Sequence, residues 1–197
     1  MDSGSRITLI VGVVTAAVAL IGYWSNQHVK RREIKIQMYA EALQAVHDYE
    51  ELPYAIRRRQ GSNGEVRAAL AGKMSEVFAR INYHQTLLNM DSPVVGETYA
   101  RLFARTRQHG GPHRKEAWNT APITSDEQMP GAAYYPYDNS AELNACLLAM
   151  RRELTPWGWL LRTSTRRRVR ASFEGRPPYR EPEWMQQRRG QILSNED

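Results

Sequence analysis

Residues Ile7 to Trp24 carry no charged side chain, and nine of these eighteen are Val, Leu or Ile. As a helix the run is about 27 Å long, close to the roughly 30 Å hydrocarbon core of a bilayer. Each Val, Leu or Ile favours insertion by on the order of 0.3 to 0.6 kcal/mol at mid-bilayer, and no charge opposes the sum. Tyr23 and Trp24 come where an aromatic belt meets the headgroups. The run predicts one transmembrane helix over residues 7–24. Only Arg6, partly balanced by Asp2, precedes it, whereas Lys30, Arg31, Arg32 and Lys35 lie after it. Because positive flanks stay cytoplasmic, residues 1–6 are expected outside and the C-terminal side in the cytoplasm. Ala17-Val18-Ala19 also resembles a signal-peptide cleavage site. Against cleavage, apolar sequence continues into Leu20-Ile21 and the positive cluster lies after the run rather than before it.

Within the run, Gly12, Thr15, Ala16, Ala19 and Gly22 recur at helical spacings of three and four. Side chains this small let a second helix approach closely, so the stripe is a candidate transmembrane association face. Gly and Ala are also common in membrane spans generally.

The chain has 197 residues and a net charge of +6, with 23 Arg against 4 Lys. That length allows one modest domain beside an anchor. The basic balance predicts attraction to anionic surfaces, phospholipid or nucleic acid, without choosing between them. The single cysteine, Cys146, excludes an intramolecular disulfide. Its neighbours Leu143, Leu147 and Met150 make it a core residue rather than a nucleophile.

Helical periodicity dominates the chain beyond the run, and no period-two alternation is long enough for a sheet. Ile36, Tyr39, Leu43 and Val46 extend one apolar face, so a single helix is expected to run to about Glu51, about 65 Å in all. Pro53 and Gln60-Gly-Ser-Asn-Gly64 delimit a connector carrying Arg57-Arg58-Arg59. A second helix is expected over 65–89, with Leu70, Met74, Val77, Ile81, His84 and Leu88 in one stripe. Asp91-Ser92-Pro93 opens a third, with Val95, Tyr99, Leu102 and Thr106 inside and Gly110-Gly111 as its end. Residues 112–140 read as a long loop with a short helical turn near Trp118. Asn139 with Glu142 resembles a capping box for a fourth helix over 141–154, with Leu143, Leu147, Met150 and Leu154 as its apolar stripe. The expected fold is all-α. One N-terminal transmembrane helix continues into a small antiparallel bundle over 25–155, and a Pro-rich, disordered tail covers 173–197.

Residues 156–172 stand apart. Trp157, Trp159, Leu160 and Leu161 precede Arg162, Arg166, Arg167, Arg168 and Arg170. Aromatic and leucine side chains beside arginines suit a bilayer interface, where each Arg adds about 1 kcal/mol against anionic lipid. The same residues could instead close the bundle core. Together with Arg57–Arg59 they could also bind nucleic-acid phosphate.

Catalytic signatures are missing from the sequence. Gly72-Lys73 lacks the upstream Gly of a P-loop, and Met74 replaces its Ser or Thr. There is no G-x-S-x-G, H-E-x-x-H or C-x-x-C, and no His follows a Glu by three. His109 and His113 could hold a metal weakly but read as a polar loop pair, and His84 reads as a core histidine. No enzyme, metal or cofactor is expected. The span, the basic stretch after it, Tyr39-Ala-Glu-Ala-Leu43 and Ala149-Met-Arg-Arg-Glu-Leu154 resemble a loose group of small single-span membrane proteins of actinobacteria and their phages. The resemblance implies a bacterial inner membrane and assigns no activity. The expected partners are therefore the lipid bilayer, anionic phospholipid, and a protein partner or a second copy, ahead of nucleic acid. The function so implied is a non-catalytic, membrane-tethered interaction or scaffold protein.

Overall fold

The computed structural model describes residues 3–129, 131, 134–155 and 158–171. Within that range the side chains of residues 3–11, 13, 14, 17, 21, 25, 158 and 159 are not described. Helices α1 (Ser3–Glu50), α2 (Leu52–Arg57), α3 (Gly64–Asp91), α4 (Pro93–Asn119), α5 (Ser140–Glu153) and α6 (Arg162–Ala171) succeed one another along the chain. Short 3-10 turns occupy Asp126–Gln128 and Gly158–Leu161. No strand occurs among the described residues, so the all-α expectation holds.

α1 is one helix of 48 residues, about 72 Å long. No Gly or Pro interrupts it between Tyr23 and Glu50. Its second half faces the core through Tyr39, Ala42, Ala45, Val46 and Tyr49, all buried. The expected transmembrane helix is not carried over intact, because among the described residues no helix is long and apolar enough to cross a membrane. Half of the apolar run lies outside that statement, since the side chains of residues 7–11, 13, 14, 17 and 21 are not described. The side chains of the run that are described, among them Val18, Leu20, Tyr23 and Trp24, are all exposed.

The connector around Pro53 is a helix in its own right. With Pro53 in its first turn, α2 buries Leu52, Pro53, Tyr54 and Ile56. α3 then returns along α1, opened by Asn63, whose side chain accepts from the Val66 amide at 2.9 Å. Of its expected stripe, Val77, Ile81, His84 and Leu88 are buried and Leu70 and Met74 partly so. α4 is central, and Val95, Tyr99, Leu102 and Thr106 face inward as expected. The Tyr99 hydroxyl reaches the Ala42 carbonyl at 3.0 Å.

Gly110-Gly111 does not end α4, which continues through Pro112 to Asn119. A Cβ on Gly110 would lie 2.7 Å from Tyr49 Cε1 and 3.2 Å from Tyr137 Oη, whereas one on Gly111 would meet nothing within 4 Å. Gly110 is thus a packing glycine that admits Tyr49, not a helix stop. Pro112 forfeits one helical hydrogen bond. The far half of the helix is held instead by a second small core of Tyr54, Ile56, Ala117 and Tyr135, with Leu70, Trp118 and Tyr137 against it.

α5 also differs from expectation. Its buried face is Glu142, Ala145, Cys146, Ala149 and Met150, with Leu143 and Leu154 flanking the core. Small residues face inward because α5 packs closely on α4. Asn139 makes no side-chain cap and instead donates to Glu50 Oε1 at 2.6 Å and Thr106 Oγ1 at 2.9 Å. The bundle extends beyond residue 155, since α6 buries Thr165 and Val169. The expected disordered tail over 173–197 and Trp157 lie outside the described residues.

The two adjacent glycines give a paired test by thermal unfolding. Gly110→Ala should destabilise the bundle by about 1–3 kcal/mol through overpacking against Tyr49. Gly111→Ala should stabilise it by up to about 1 kcal/mol through helix propensity. Melting temperatures that move in the same direction contradict this packing.

Candidate functional site

α1, α4 and α6 run away from the end of the bundle where the apolar arm enters, and α3 and α5 run back to it. That arm end collects the α3–α4 turn and the α5–α6 corner, and a polar knot ties them to α1. Lys35 Nζ is 2.7 Å from Asp91 Oδ1, and the Tyr39 hydroxyl donates to Asp91 Oδ2 at 2.8 Å. Burial first, then the hydrogen bond to Asp91, push the Tyr39 pKa far above its ordinary value, so the phenol stays a donor. Ser92 Oγ donates to Glu153 Oε1 at 2.7 Å. Arg162 grips the same carboxylate through Nε at 2.8 Å and Nη2 at 3.2 Å, and Nη2 also reaches the Asp91 carbonyl at 3.3 Å. The Glu153 side chain is only 6% exposed, so this ion pair has a nearly desolvated acceptor. Its hydrogen bond holds the Arg162 pKa above the usual arginine range.

This end also exposes apolar side chains. Ile34 is 68% exposed, Met90 79%, Leu160 54% and Leu161 39%. Of the expected membrane-interface segment, Leu160 and Leu161 are thus exposed, in a 3-10 turn over Gly158–Leu161. The arginines divide. Arg162 is drawn into the knot, Arg166 lies 3.9 Å from Glu97 on α4, and Arg167, Arg168 and Arg170 are exposed along α6. Since α6 leads away from the arm, these three point along the flank of the bundle and not out of its end.

The arm end stands off from the apolar run. Lys35, which pairs with Asp91, is eleven positions beyond Trp24, about 16 Å along a helix axis. A headgroup layer is about 5–7 Å deep. The stalk between them carries Lys30, Arg31 and Arg32, all exposed. Met90 and Ile34 belong to this end as well. Their only sequence signal is an apolar residue beside a polar turn, which does not distinguish them from core.

Arg57–Arg59 is not a free basic patch. Arg59 is 6% exposed and donates to the carbonyls of Ile56 at 3.0 Å, Ala117 at 2.8 Å and Thr120, the last two ending α4. It satisfies carbonyls that a helix C-terminus leaves without amide partners. Burial, then Arg57 and Arg67 nearby, lower its pKa from the ordinary arginine value. Arg57 donates to the Ala121 carbonyl at 2.6 Å, and Arg58 lies over the Tyr54 ring.

His109 and His113 are on helix α4, not in a loop. His113 Nε2 is 2.9 Å from the Pro136 carbonyl, and both rings stack edgewise on Tyr137. Among the described residues no three His, Cys, Asp or Glu groups could hold a metal ion. Cys146 is fully buried, and burial pushes its thiol up to about 12, so it stays protonated. His84 is buried, and its Nδ1 makes no hydrogen bond among the described residues. Within the apolar run, Gly12, Thr15, Ala16, Ala19 and Gly22 are all exposed, and a Cβ on Gly12 or Gly22 would meet nothing within 4 Å. The chain matches no protein-family model, no curated protein and no solved structure.

Two measurements probe this architecture. Glu153→Leu should cost about 1.5–3 kcal/mol, the range for hydrogen bonds to charged groups, and should open residues 156–171 to limited proteolysis. Arg168→Met should leave both readouts unchanged, and equal protease sensitivity in the two variants contradicts the knot.

Acid should also weaken the fold. Burial holds His84 below its ordinary pKa of about 6.5. The unfolded chain therefore takes up a proton first, and stability complete above about pH 6.5 is lost as pH falls through the folded-state value. His109 is lowered by burial in the same way, whereas Glu50, raised by burial, opposes the trend at more acid pH. His84→Leu should flatten the fall in melting temperature between about pH 7.5 and 5.5. An unchanged slope argues against a neutral, buried His84.

Proposed function

We propose that this protein is a non-catalytic helical bundle anchored in a bacterial inner membrane by Ile7–Trp24. Residues 1–6 lie outside, and the bundle stands at the cytoplasmic face, where it binds a protein partner or itself. The observation that carries this reading is α1. It is a single helix whose first half is uncharged from Ile7 to Trp24 and exposed wherever its side chains are described. Water gives such an arm no stabilisation, because the hydrophobic effect opposes its exposure. A bilayer removes that cost, since every backbone group between its ends is already bonded within the helix.

Lipid contact beyond the span falls first to Lys30, Arg31 and Arg32. They begin about 9 Å beyond Trp24 along the helix, within reach of the headgroups for long side chains. Each adds about 1 kcal/mol against anionic phospholipid. Leu160 and Leu161, with Met90, come closer to the same layer when α1 tilts toward that side, and membrane helices tilt by about 20° on average. The alternative, a membrane-tethered nucleic-acid binder, would depend on Arg58, Arg167, Arg168 and Arg170. Arg57, Arg59 and Arg162 already serve carbonyls and a carboxylate within the fold. Steep loss of nucleic-acid binding with added salt would favour that alternative.

Membrane fractionation tests the anchor. The full chain should remain in the membrane pellet after alkaline carbonate extraction. Ala16→Arg with Val18→Arg, each costing about 2.5–3.5 kcal/mol at mid-span, should release it. Release of the unmodified chain by carbonate refutes the anchor. For orientation, a membrane-impermeant maleimide should label Ser3→Cys in intact spheroplasts and Ser62→Cys only after permeabilisation. Cys146, fully buried with its thiol protonated, gives a silent background.

A further inference from the structure

Buried polar atoms in folded proteins normally have a hydrogen-bond partner. Two that lack one lie together at the end of the bundle away from the arm. The Tyr49 side chain is 0% exposed, and its hydroxyl makes no hydrogen bond among the described residues. Arg114, from α4, lies over the same ring, with its guanidinium carbon 4.7 Å from the ring centre. Its Nη1 is buried and equally without a partner among those residues. Ion pairs of the described residues engage Arg80, Arg101, Arg105, Arg162 and Arg166, and leave Arg114 out. Each group left unbonded in this way carries the full cost of its desolvation.

A second hydroxyl completes the cluster. Tyr49 and Tyr137 meet over Gly110, where an added Cβ would lie 2.7 Å from Tyr49 Cε1 and 3.2 Å from Tyr137 Oη. The Tyr137 hydroxyl has only a long contact, 3.5 Å to the Glu50 carbonyl. Burial first, then Tyr49 and Glu50, push its pKa above the ordinary value against the opposing pull of Arg114, so the phenol stays a donor. Glu50, the carboxylate that acts on Tyr137, already accepts from Asn139 at 2.6 Å and lies 3.7 Å from His47. Edge contacts from Phe78 and Phe103, at 5.5 Å and 5.3 Å between ring centres, hold the Tyr49 ring in place.

The chemistry of this set selects its ligand. A guanidinium offers donors and no acceptor, and each hydroxyl has one proton to give. Water at the same place would bring two protons of its own and find only phenol oxygens to take them. An anion accepts from all three groups, its bonds to a cationic donor are the stronger kind, and its charge offsets a guanidinium that no carboxylate balances. Because Tyr49 is fully buried, the guest is a single small ion. We propose that Tyr49 Oη, Arg114 Nη1 and Tyr137 Oη together bind a chloride-sized anion, which ties the end of α1 to α4 and to the segment carrying Tyr137. Arg114 is only partly buried, and a swing of its side chain admits the ion.

Thermal unfolding of the full chain in detergent micelles tests the site, with sodium chloride replacing sodium gluconate at constant ionic strength. Chloride should raise the melting temperature saturably, by about 3–6 °C at ten times the half-saturating concentration. Tyr49→Phe and Arg114→Met, which keep most of the packing volume, should each abolish the rise. Arg151→Met, on the exposed side of α5, should keep it. A melting temperature that ignores the exchange, as bridging water alone would give, overturns the proposal, and so does a rise that survives in either variant at the site. Chloride NMR line broadening on the unmodified chain reads binding without any variant. The excess width should saturate with chloride and fall as bromide is added, and its absence overturns the site. Neither readout involves the arm, so both stand apart from the membrane anchor.

Discussion

The constraint on which the rest of the structure depends is the continuity of α1. Its first half is an apolar arm, its second half is a wall of the bundle, and no hinge separates them. Both halves must therefore share one axis and one rotational phase. The residues that face the core between Tyr39 and Tyr49 also fix which side of the arm is opposite the bundle. A Gly or Pro near residue 30 would have decoupled the two. Instead the stretch from Asn26 to Ile36 carries good helix formers and charge, and it transmits the orientation of one half to the other.

The polar knot at the arm end has a similar logic. The α3–α4 turn and the α5–α6 corner are where a bundle on a stalk would most easily fray. Here Asp91 and Glu153 each take two side-chain partners, from α1 for Asp91 and from the α3–α4 turn and α6 for Glu153. Because Glu153 is nearly buried, removing Arg162 would leave a desolvated carboxylate, which favours keeping α6 docked. Arg59 plays a comparable part at the far end, where its guanidinium closes α4. Several of the arginines behind the chain's basic balance thus act inside the fold. Exposed cations remain on the stalk, along α6 and singly on other elements, among them Arg58, Arg67, Lys73, Arg101, Lys115 and Arg151.

Much of this fold was legible in the sequence. The continuous first helix, the α3 stripe from Val77 to Leu88 and the inner face of α4 could be read from periodicity, because large apolar side chains at helical spacing form the buried face of each. The failures share a cause, which is that local signals were overridden by tertiary contacts. Gly110-Gly111-Pro112 reads as a stop, but Tyr49 needs the space over Gly110, and Arg59 supplies a distant cap. Asn139 reads as a cap, yet its amide is occupied by Glu50 and Thr106. In α5 the large apolar residues suggested one face, while close packing on α4 selected Ala145, Cys146 and Ala149. For the arm end, Leu160 and Leu161 were visible beside the tryptophans. Met90 and Ile34 meet at this end across more than fifty residues, and the Glu153–Arg162 pair, nine residues apart, is fixed there by Ser92 and the Asp91 carbonyl from a distant turn.

The separation between arm and bundle sharpens what each basic segment can contribute at a surface. About 16 Å of helix divides Trp24 from Lys35, more than twice the depth of a headgroup layer. On the proposed anchor, an upright arm would put Lys30, Arg31 and Arg32 within reach of lipid phosphates and leave Leu160 and Leu161 beyond them. On that anchor, a tilt toward the α5–α6 corner would bring Leu160 and Leu161 closer to the headgroups, whereas an upright arm would leave lipid contact to the stalk cations, because they alone lie within one side-chain length of the apolar run.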